Sequence, residues 1–410
     1  MFHYVVHSSL QGGNTRFALG TFNFRQACRR WNETAIGFPQ LWSSWVAGAV
    51  KAWPMFNSRS KDSPLSLTWR PQLPKSARRI LMDSEIPRRT RQLDFSGTSS
   101  QLVHFLHVFD SSPPSNVSSI RLQVQVSRPA WKKIAPLLSS HLRELSKLNV
   151  GSFLPVSSSP IFTTSKLTSL KLFLPYGGKD RYTLAQFTQI HQQHPNLQEL
   201  DLNHGAIPLP GPQEVSTPFV LPRLTDLRLH GTKGAIFGLI NLLGMSSPLH
   251  NVVIRFGYIN NLTIPTLAST MEKVLVAYYD CQGLGYPRKI DSLTISSPWN
   301  GSCLTFDARS RSAPTSNLKL QSYWPGGFRR GKDEVVEKIF ALFPSDNIQE
   351  FAVEGLPLTG RMLRKVKDLS HLRLRNQNSL DLERALLSLG HQGTFSKSTM
   401  RILNFIHAYR

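Results

Sequence analysis

Leu197-Gln198-Glu199-Leu200-Asp201-Leu202 is the stretch that decides the fold. Its leucines stand at the first, fourth and sixth positions. The same wording returns as Leu167-x-x-Leu170-x-Leu172, Leu224-x-x-Leu227-x-Leu229 and Leu369-x-x-Leu372-x-Leu374. Looser copies centre on Leu65, Leu93, Ile120, Leu148, Val252, Leu293, Leu318, Phe351 and Leu403. Successive centres lie about 28 residues apart on average, inside the range of a leucine-rich repeat. Side chains alternate along a strand, so the leucines point into a core and the residues flanking each central leucine point out of the opposite face.

Between these strands the apolar spacing is helical. It predicts helices over 100–109, 130–138, 184–194, 236–245, 267–279, 333–343 and 382–389. Strand followed by helix at a fixed period predicts an α/β leucine-rich-repeat solenoid, with a parallel sheet on the concave side and helices outside. The expected domains are a short helical head over 1–61 and a solenoid of about 13 repeats over 62–410. The widest gap, Val252 to Leu293, is expected to hold a helix and a bulged-out loop over 281–288.

The expected outward set is Gln92, Asp94, Arg121, Lys147, Asn149, Lys171, Glu199, Asp201, Asn203, Asp226, Arg228, His230, Arg255, Lys319, Glu350, Glu354, His371, Arg373 and Arg375. Acids gather near 199–226 and bases near 371–375. Lys171, Glu199, Asp201, Asn203, Asp226, Arg228, His230, Arg373 and Arg375 are the candidate substrate-binding residues. For any single one, an ordinary solvated sheet face is the plainer account. Solenoids bind through the face as a whole.

The head reads differently. From Arg25 to Ile36 the apolar Ala27, Trp31, Ala35 and Ile36 share one helical face. Pro39 ends that helix, and Leu41, Trp42 and Trp45 follow as an apolar patch. This wording resembles the second half of the F-box-like motif and is most similar to fungal F-box-like proteins with leucine-rich repeats. Ala27, Cys28, Arg29, Trp31, Ala35, Pro39, Leu41 and Trp42 match the family phrase position by position. The motif's opening Leu-Pro-x-Glu is not found. The resemblance implies a helical module docked on a Skp1-type adaptor, and through it on a cullin, with Cys28, Arg29, Trp31, Pro39, Leu41 and Trp42 at the adaptor surface. It implies a non-catalytic substrate-recognition subunit of an SCF-type ubiquitin ligase that binds a protein substrate on the solenoid. Trp31 and Trp42 also have a plainer role, capping the open end of the first repeat.

Lys and Arg number 48 against 25 Asp and Glu, a net charge of +23. Such a surface attracts acidic partners, and the encounter weakens with salt. Basic runs fall at Arg70, Lys75, Arg78, Arg79, Arg88, Arg89 and Arg91, and at Arg361, Arg364, Lys365, Lys367, Arg373 and Arg375. Aromatic residues are not interleaved with them, which disfavours nucleic acid. Two alternatives to the ligase adaptor stand: a ligase-independent scaffold with a degenerate F-box, and a basic solenoid on nucleic acid.

Three scattered cysteines predict neither a disulfide framework nor a zinc site and suit a cytoplasmic or nuclear setting. No signal peptide or membrane span is read. Gly326 to Asp333 imitates a phosphate-cradling loop, but Asp333 replaces the hydroxyl residue that would hold magnesium, so a capped helix is the better account. His191 and His194 read as a surface pair. No catalytic, cofactor-binding or metal-binding constellation is visible, so the expectation is no enzyme, no metal and no cofactor.

Overall fold

Strands and helices alternate along the chain from Pro39 to Phe405. The computed structural model describes residue 33 and residues 36–45, 53–73, 75–81, 85–110, 117–126, 128–141, 144–153, 155, 159–163, 166–174, 182–208, 218–245, 249–257, 264–279, 290–297, 303–311, 316–323, 332–343, 345–356, 358–366, 369–375 and 401–405. They belong to two compact units, Met1–Leu174 and Pro175–Arg410. Each is α/β and built on a mostly parallel sheet.

The first unit opens with a 3-10 turn, Pro39–Trp42, in which the proline stands where a missing N–H costs nothing. Then come β1 (Ser44–Trp45), α1 (Trp53–Ser60), β2 (Leu65–Trp69), α2 (Lys75–Leu81), α3 (Glu85–Arg89), β3 (Thr90–Thr98) and α4 (Ser99–Asp110). β4 (Ser119–Gln125), α5 (Arg128–His141), β5 (Lys147–Gly151), α6 (Pro160–Thr163) and β6 (Ser169–Leu174) complete it. The six strands pair in chain order, all parallel. Leu93, Ile120, Leu148 and Leu170 occupy one register position, as their spacing predicts. The first centre is corrected: Leu67, not Leu65, lies opposite Leu93. The ladder shifts between Leu65 and Ser66, and the shift lets buried Trp69 stack on Phe95 at 5.7 Å between centroids. Trp45, inside the expected head, pairs with Leu67, so β1 is a strand of the same sheet as β2.

The second unit contains α7 (Leu184–Gln193), β7 (Glu199–His204), β8 (Phe219–Leu221), β9 (Asp226–Gly231), α8 (Lys233–Leu242), β10 (Leu243–Met245), β11 (Asn251–Phe256) and α9 (Ile264–Tyr279). There follow β12 (Ser292–Ser296), β13 (Cys303–Arg309), β14 (Asn317–Tyr323), α10 (Lys332–Phe340), β15 (Glu350–Glu354), α11 (Gly360–Lys365), β16 (His371–Arg375) and β17 (Arg401–Phe405). Here the array departs from chain order. The sheet runs β7-β9-β11-β14-β13-β12-β15-β16-β17. β13 is antiparallel to both neighbours, so β12, β13 and β14 form a meander that runs backwards through the array. Val252 therefore faces Leu318, and Leu293 faces Phe351. The expected succession of repeats from Leu293 to Leu318 is corrected accordingly. The strand at Cys303–Arg309 had no leucine wording to announce it, yet its alternation of Leu304, Phe306 and Ala308 inward is a clean strand pattern. The last centre is also corrected: Ile402, not Leu403, faces Leu372.

On β6, β9, β11, β12, β14 and β15 the inward positions are buried and the positions between them are half-exposed. The helices lie side by side over the buried face. α4 packs on α5 and α5 on α6 in the first unit, and α8, α9, α10 and α11 pack in chain order in the second. α4 and α7 start on the same device. The hydroxyls of Thr98 and Thr183 accept the N–H of Gln101 and Gln186, whose side chains accept the threonine N–H in return.

A hydrogen-bonded stair joins successive strands just before each begins. The Ser118 carbonyl accepts from the N–H of Ser146 (2.9 Å) and Lys147 (3.0 Å), and from the Ser146 hydroxyl (3.0 Å). The Ser146 carbonyl is used identically by Thr168 and Ser169. In the second unit Thr225 and Asp226 use Gln198, His250 and Asn251 use Thr225, and Ser370 and His371 use Gln349. Across the meander the stair follows space, not chain order: Asn317 donates to His250, and Gln349 and Glu350 to Asp291.

Two further expectations change, and two fall outside the described residues. The predicted helix over 236–245 ends at Leu242, and Leu243–Met245 instead pairs with Phe219–Leu221 in a two-stranded sheet. The predicted helix over 382–389 and the loop over 281–288 lie outside the described residues. His191 and His194 are not a surface pair: they are 3% and 2% exposed. The His191 ring stacks on Phe219 at 5.2 Å and meets Phe187 edge-on at 4.1 Å. Neither of its nitrogens has a hydrogen-bond partner among the described residues. Burial, reinforced by His194, holds its pKa down at about 3.

His191 is therefore neutral in the fold and protonates near 6.5 in the unfolded chain. Its neutral-form stability is complete above pH 6.5 and is lost as pH falls from there toward 3, at up to about 1.4 kcal/mol per pH unit. We expect His191→Leu to raise the urea midpoint slightly at pH 7.5, because it removes unsatisfied buried nitrogens. At pH 5 the gap between variant and wild type should widen; parallel midpoints at both pH values would refute the assignment.

Candidate interaction face

In each unit the candidate residues lie on the sheet face opposite the helices. All those with described side chains are half-exposed or exposed. In the first unit Asp94, Arg121, Asn149 and Lys171 form one row across β3 to β6. Asp94 is held bidentately by Arg70 at 2.7 and 3.1 Å. In the second unit the rows follow the corrected strand order. One reads Glu199, Asp226, Asn251, Asn317, Arg309, Ser292, Glu350 and His371. The next reads Asp201, Arg228, Val253, Lys319, Asp307, Thr294, Ala352 and Arg373. A third begins Asn203, His230, Arg255, Gln321 and Thr305.

Several of these residues are already engaged. Asp226 accepts from the Asn251 amide at 2.6 Å and the Thr225 hydroxyl at 2.8 Å. Asp307 is clasped by Arg309 at 3.0 and 3.1 Å. Glu350 is paired with Arg311, whose backbone N–H also binds Asp291. Gln321 donates to the Thr305 hydroxyl at 3.3 Å.

His204 was not anticipated at this face. Strand alternation puts it inward, beside outward Asn203. Its backbone turns left-handed there (φ 45°), a region that histidine tolerates better than most residues. The ring swings out to meet His230 at 4.2 Å, and His230 stacks on Tyr323 at 6.2 Å. Desolvation, then the neighbouring His230, lowers the His204 pKa to about 4. Desolvation, then Arg255, lowers that of His230. Both rings are neutral at neutral pH, so the fixed charge of this region comes from Arg228, Arg255 and Lys319.

The adaptor-surface residues fare unevenly. Cys28, Arg29 and Trp31 lie outside the described residues, as do the side chains of Leu41 and Arg375 and the loop over 326–331. Pro39 is half-buried. Trp42 is buried, edge-on to Phe56 at 5.4 Å and covered by the Arg59 guanidinium at 4.6 Å from its ring centroid. It closes the end of the sheet. Ile36 and Phe38 are the large apolar side chains left exposed beside it, at 41% and 56%.

Much of the first basic run is structural. Arg89 reaches the Asn57 amide oxygen, the Ser60 hydroxyl and the Ser63 carbonyl, tying α1 to the start of β2. Arg78 caps the Pro71 and Leu73 carbonyls. Lys75, Arg79, Arg88 and Arg91 are exposed.

Among the described residues no three His, Cys, Asp or Glu side chains converge as metal donors. No helix there is long and apolar enough to cross a membrane. No protein-family model matches the chain, and no curated protein sequence matches it.

Asp226 and Arg373 occupy the same face in different ways. Asp226→Ala takes the acceptor from the Asn251 amide, while the Thr225 hydroxyl keeps the Gln198 carbonyl, and is expected to lower stability by about 1 kcal/mol in urea unfolding. Arg373→Ala, on an exposed side chain, should change it by less than about 0.5 kcal/mol. Equal effects would show that Asp226 is not the structural member of the pair.

Proposed function

We propose that this chain is a non-catalytic protein-binding adaptor, the substrate-recognition subunit of an SCF-type ubiquitin ligase. In this reading the sheet and helices are a leucine-rich-repeat solenoid, interrupted by the meander. Its open sheet face holds a protein substrate, and its head docks on a Skp1-type adaptor and through it on a cullin. The observation that carries the reading is the junction. The turn that ends the F-box-like wording, Pro39–Trp42, runs straight into β1, which is paired in register with the first leucine strand. The end of the F-box-like wording is thereby joined to the first leucine strand, β2, within one unit.

A second reading, a scaffold that never joins a ligase, is favoured by Trp42 itself. A tryptophan sealed under Phe56 and Arg59 caps the sheet and offers no ring to a partner. The two readings part at Ile36 and Phe38. For the ligase subunit, the full chain should bind purified Skp1-type adaptor in biolayer interferometry. Ile36→Asp with Phe38→Asp should weaken that binding at least about tenfold, at an unchanged melting temperature. No association of the wild-type chain sinks the ligase role and leaves the scaffold.

A further inference from the structure

Arg228, Arg255 and Lys319 sit on three neighbouring strands, β9, β11 and β14, and all face away from the helices. Arg228 and Lys319 flank Val253 in one row, roughly 10 Å apart by two strand spacings. Arg255 stands on the middle strand one row further on. None of the three has an ion-pair or hydrogen-bond partner among the described residues. The Nε atoms of Arg228 and Arg255 are buried, as are the side-chain oxygens of Asn203 and Gln321, and all four lack a hydrogen-bond partner among the described residues. Beside them lie two neutral imidazoles, His204 and His230, and Tyr323, 44% exposed. Like charges held this close repel one another, and partly desolvated guanidinium groups without acceptors are costly.

From this arrangement we infer that the patch is a docking site for a short acidic peptide segment of a protein partner, carrying carboxylates on alternate residues and an aromatic side chain beside them. This inference rests on the protein-binding reading of the sheet face and names the chemistry of the partner. The spread of the cations suits two or three carboxylates along an extended chain better than one compact anion. Tyr323 and the imidazoles offer ring faces to the aromatic residue. Acids bound the patch on both sides: Asp201 beside Arg228, and Asp307 beside Lys319. A continuous phosphodiester chain crossing the sheet would meet them, whereas a segment of a few residues fits between them.

The test uses the full chain and three fluorescein-labelled probes: an octapeptide of alternating Glu and Tyr, its Gln–Tyr counterpart and its Lys–Tyr counterpart. Fluorescence anisotropy should show the Glu–Tyr peptide binding at least about tenfold tighter than either counterpart, with affinity falling as salt is raised. Arg228→Gln, Arg255→Gln and Lys319→Gln should each weaken it at least about threefold and the triple variant abolish it, while Arg228→Lys and Arg121→Gln leave it nearly unchanged. Equal binding of the Glu–Tyr and Lys–Tyr peptides by the wild-type chain overturns the proposal without any variant. So does wild-type affinity in the triple variant, or oligothymidylate binding as tight as the peptide and lost in the same variant. Adaptor binding by the triple variant separates the two readings: lost peptide binding with the head intact places the defect in the patch, and an adaptor that never binds leaves the peptide result standing.

Discussion

The carbonyl oxygen just ahead of a strand is, at Ser118, Ser146, Gln198, Thr225, Asp291 and Gln349, the point on which this molecule's geometry turns. It takes two consecutive N–H groups from the next strand's approach, and often a serine or threonine hydroxyl as well. Each such bond contributes on the order of 1 kcal/mol. Their larger effect is to remove freedom to slip. A parallel strand that moved by one residue would turn its leucines outward and its polar residues into the helices. With the step pinned, Leu93, Ile120, Leu148 and Leu170 must align, and the residues between them must form straight rows on the other face. The candidate face is thus a by-product of how the core is held.

That dependence explains what could be read in the chain and what could not. The strands with full leucine wording were legible because their spacing repeats and one face is buried. Seven of the expected helices follow from apolar spacing, and those with described residues start within three residues of their predicted first position. Lys75–Leu81 and Glu85–Arg89 were missed because their sequences are short and basic, without an apolar stripe. Glu85–Arg89 packs on α4, and in Lys75–Leu81 Arg78 bonds back to the Pro71 and Leu73 carbonyls. The meander escaped for another reason: repeat logic assumes that the next strand in the chain is the next strand in space. The turn-rich stretches on either side of Cys303–Arg309, with Pro298 and Gly301 before it and Pro314 after it, were hairpin signals that pointed to a reversal.

The candidate face was legible residue by residue but not in its grouping. Alternation placed Arg228, Arg255 and Lys319 outward correctly. Only the detour of the chain brings Lys319 within one strand of Arg255, since β14 and not β12 lies beside β11. His204 needed a left-handed backbone that alternation does not foresee. The net charge of +23 was a poor guide by itself. Arg70, Arg78 and Arg89 are held by Asp94 or by carbonyl and side-chain oxygens of the first unit, and they are occupied in construction. What distinguishes the cations of β9, β11 and β14 is the lack of such partners.

The reversed strands also govern the order in which the second unit can be assembled. In the first unit each new strand finds its neighbour already made by the strand before it, so structure can grow from one end. β11 cannot be completed that way, because its partner β14 arrives roughly 60 residues later, after two other strands. During synthesis its free edge of N–H and C=O groups waits in the open, with Val252 and Ile254 in the same strand. Arg228 and Arg255 already stand at this place while the edge waits, and their positive charge opposes the same residues of a second copy approaching it.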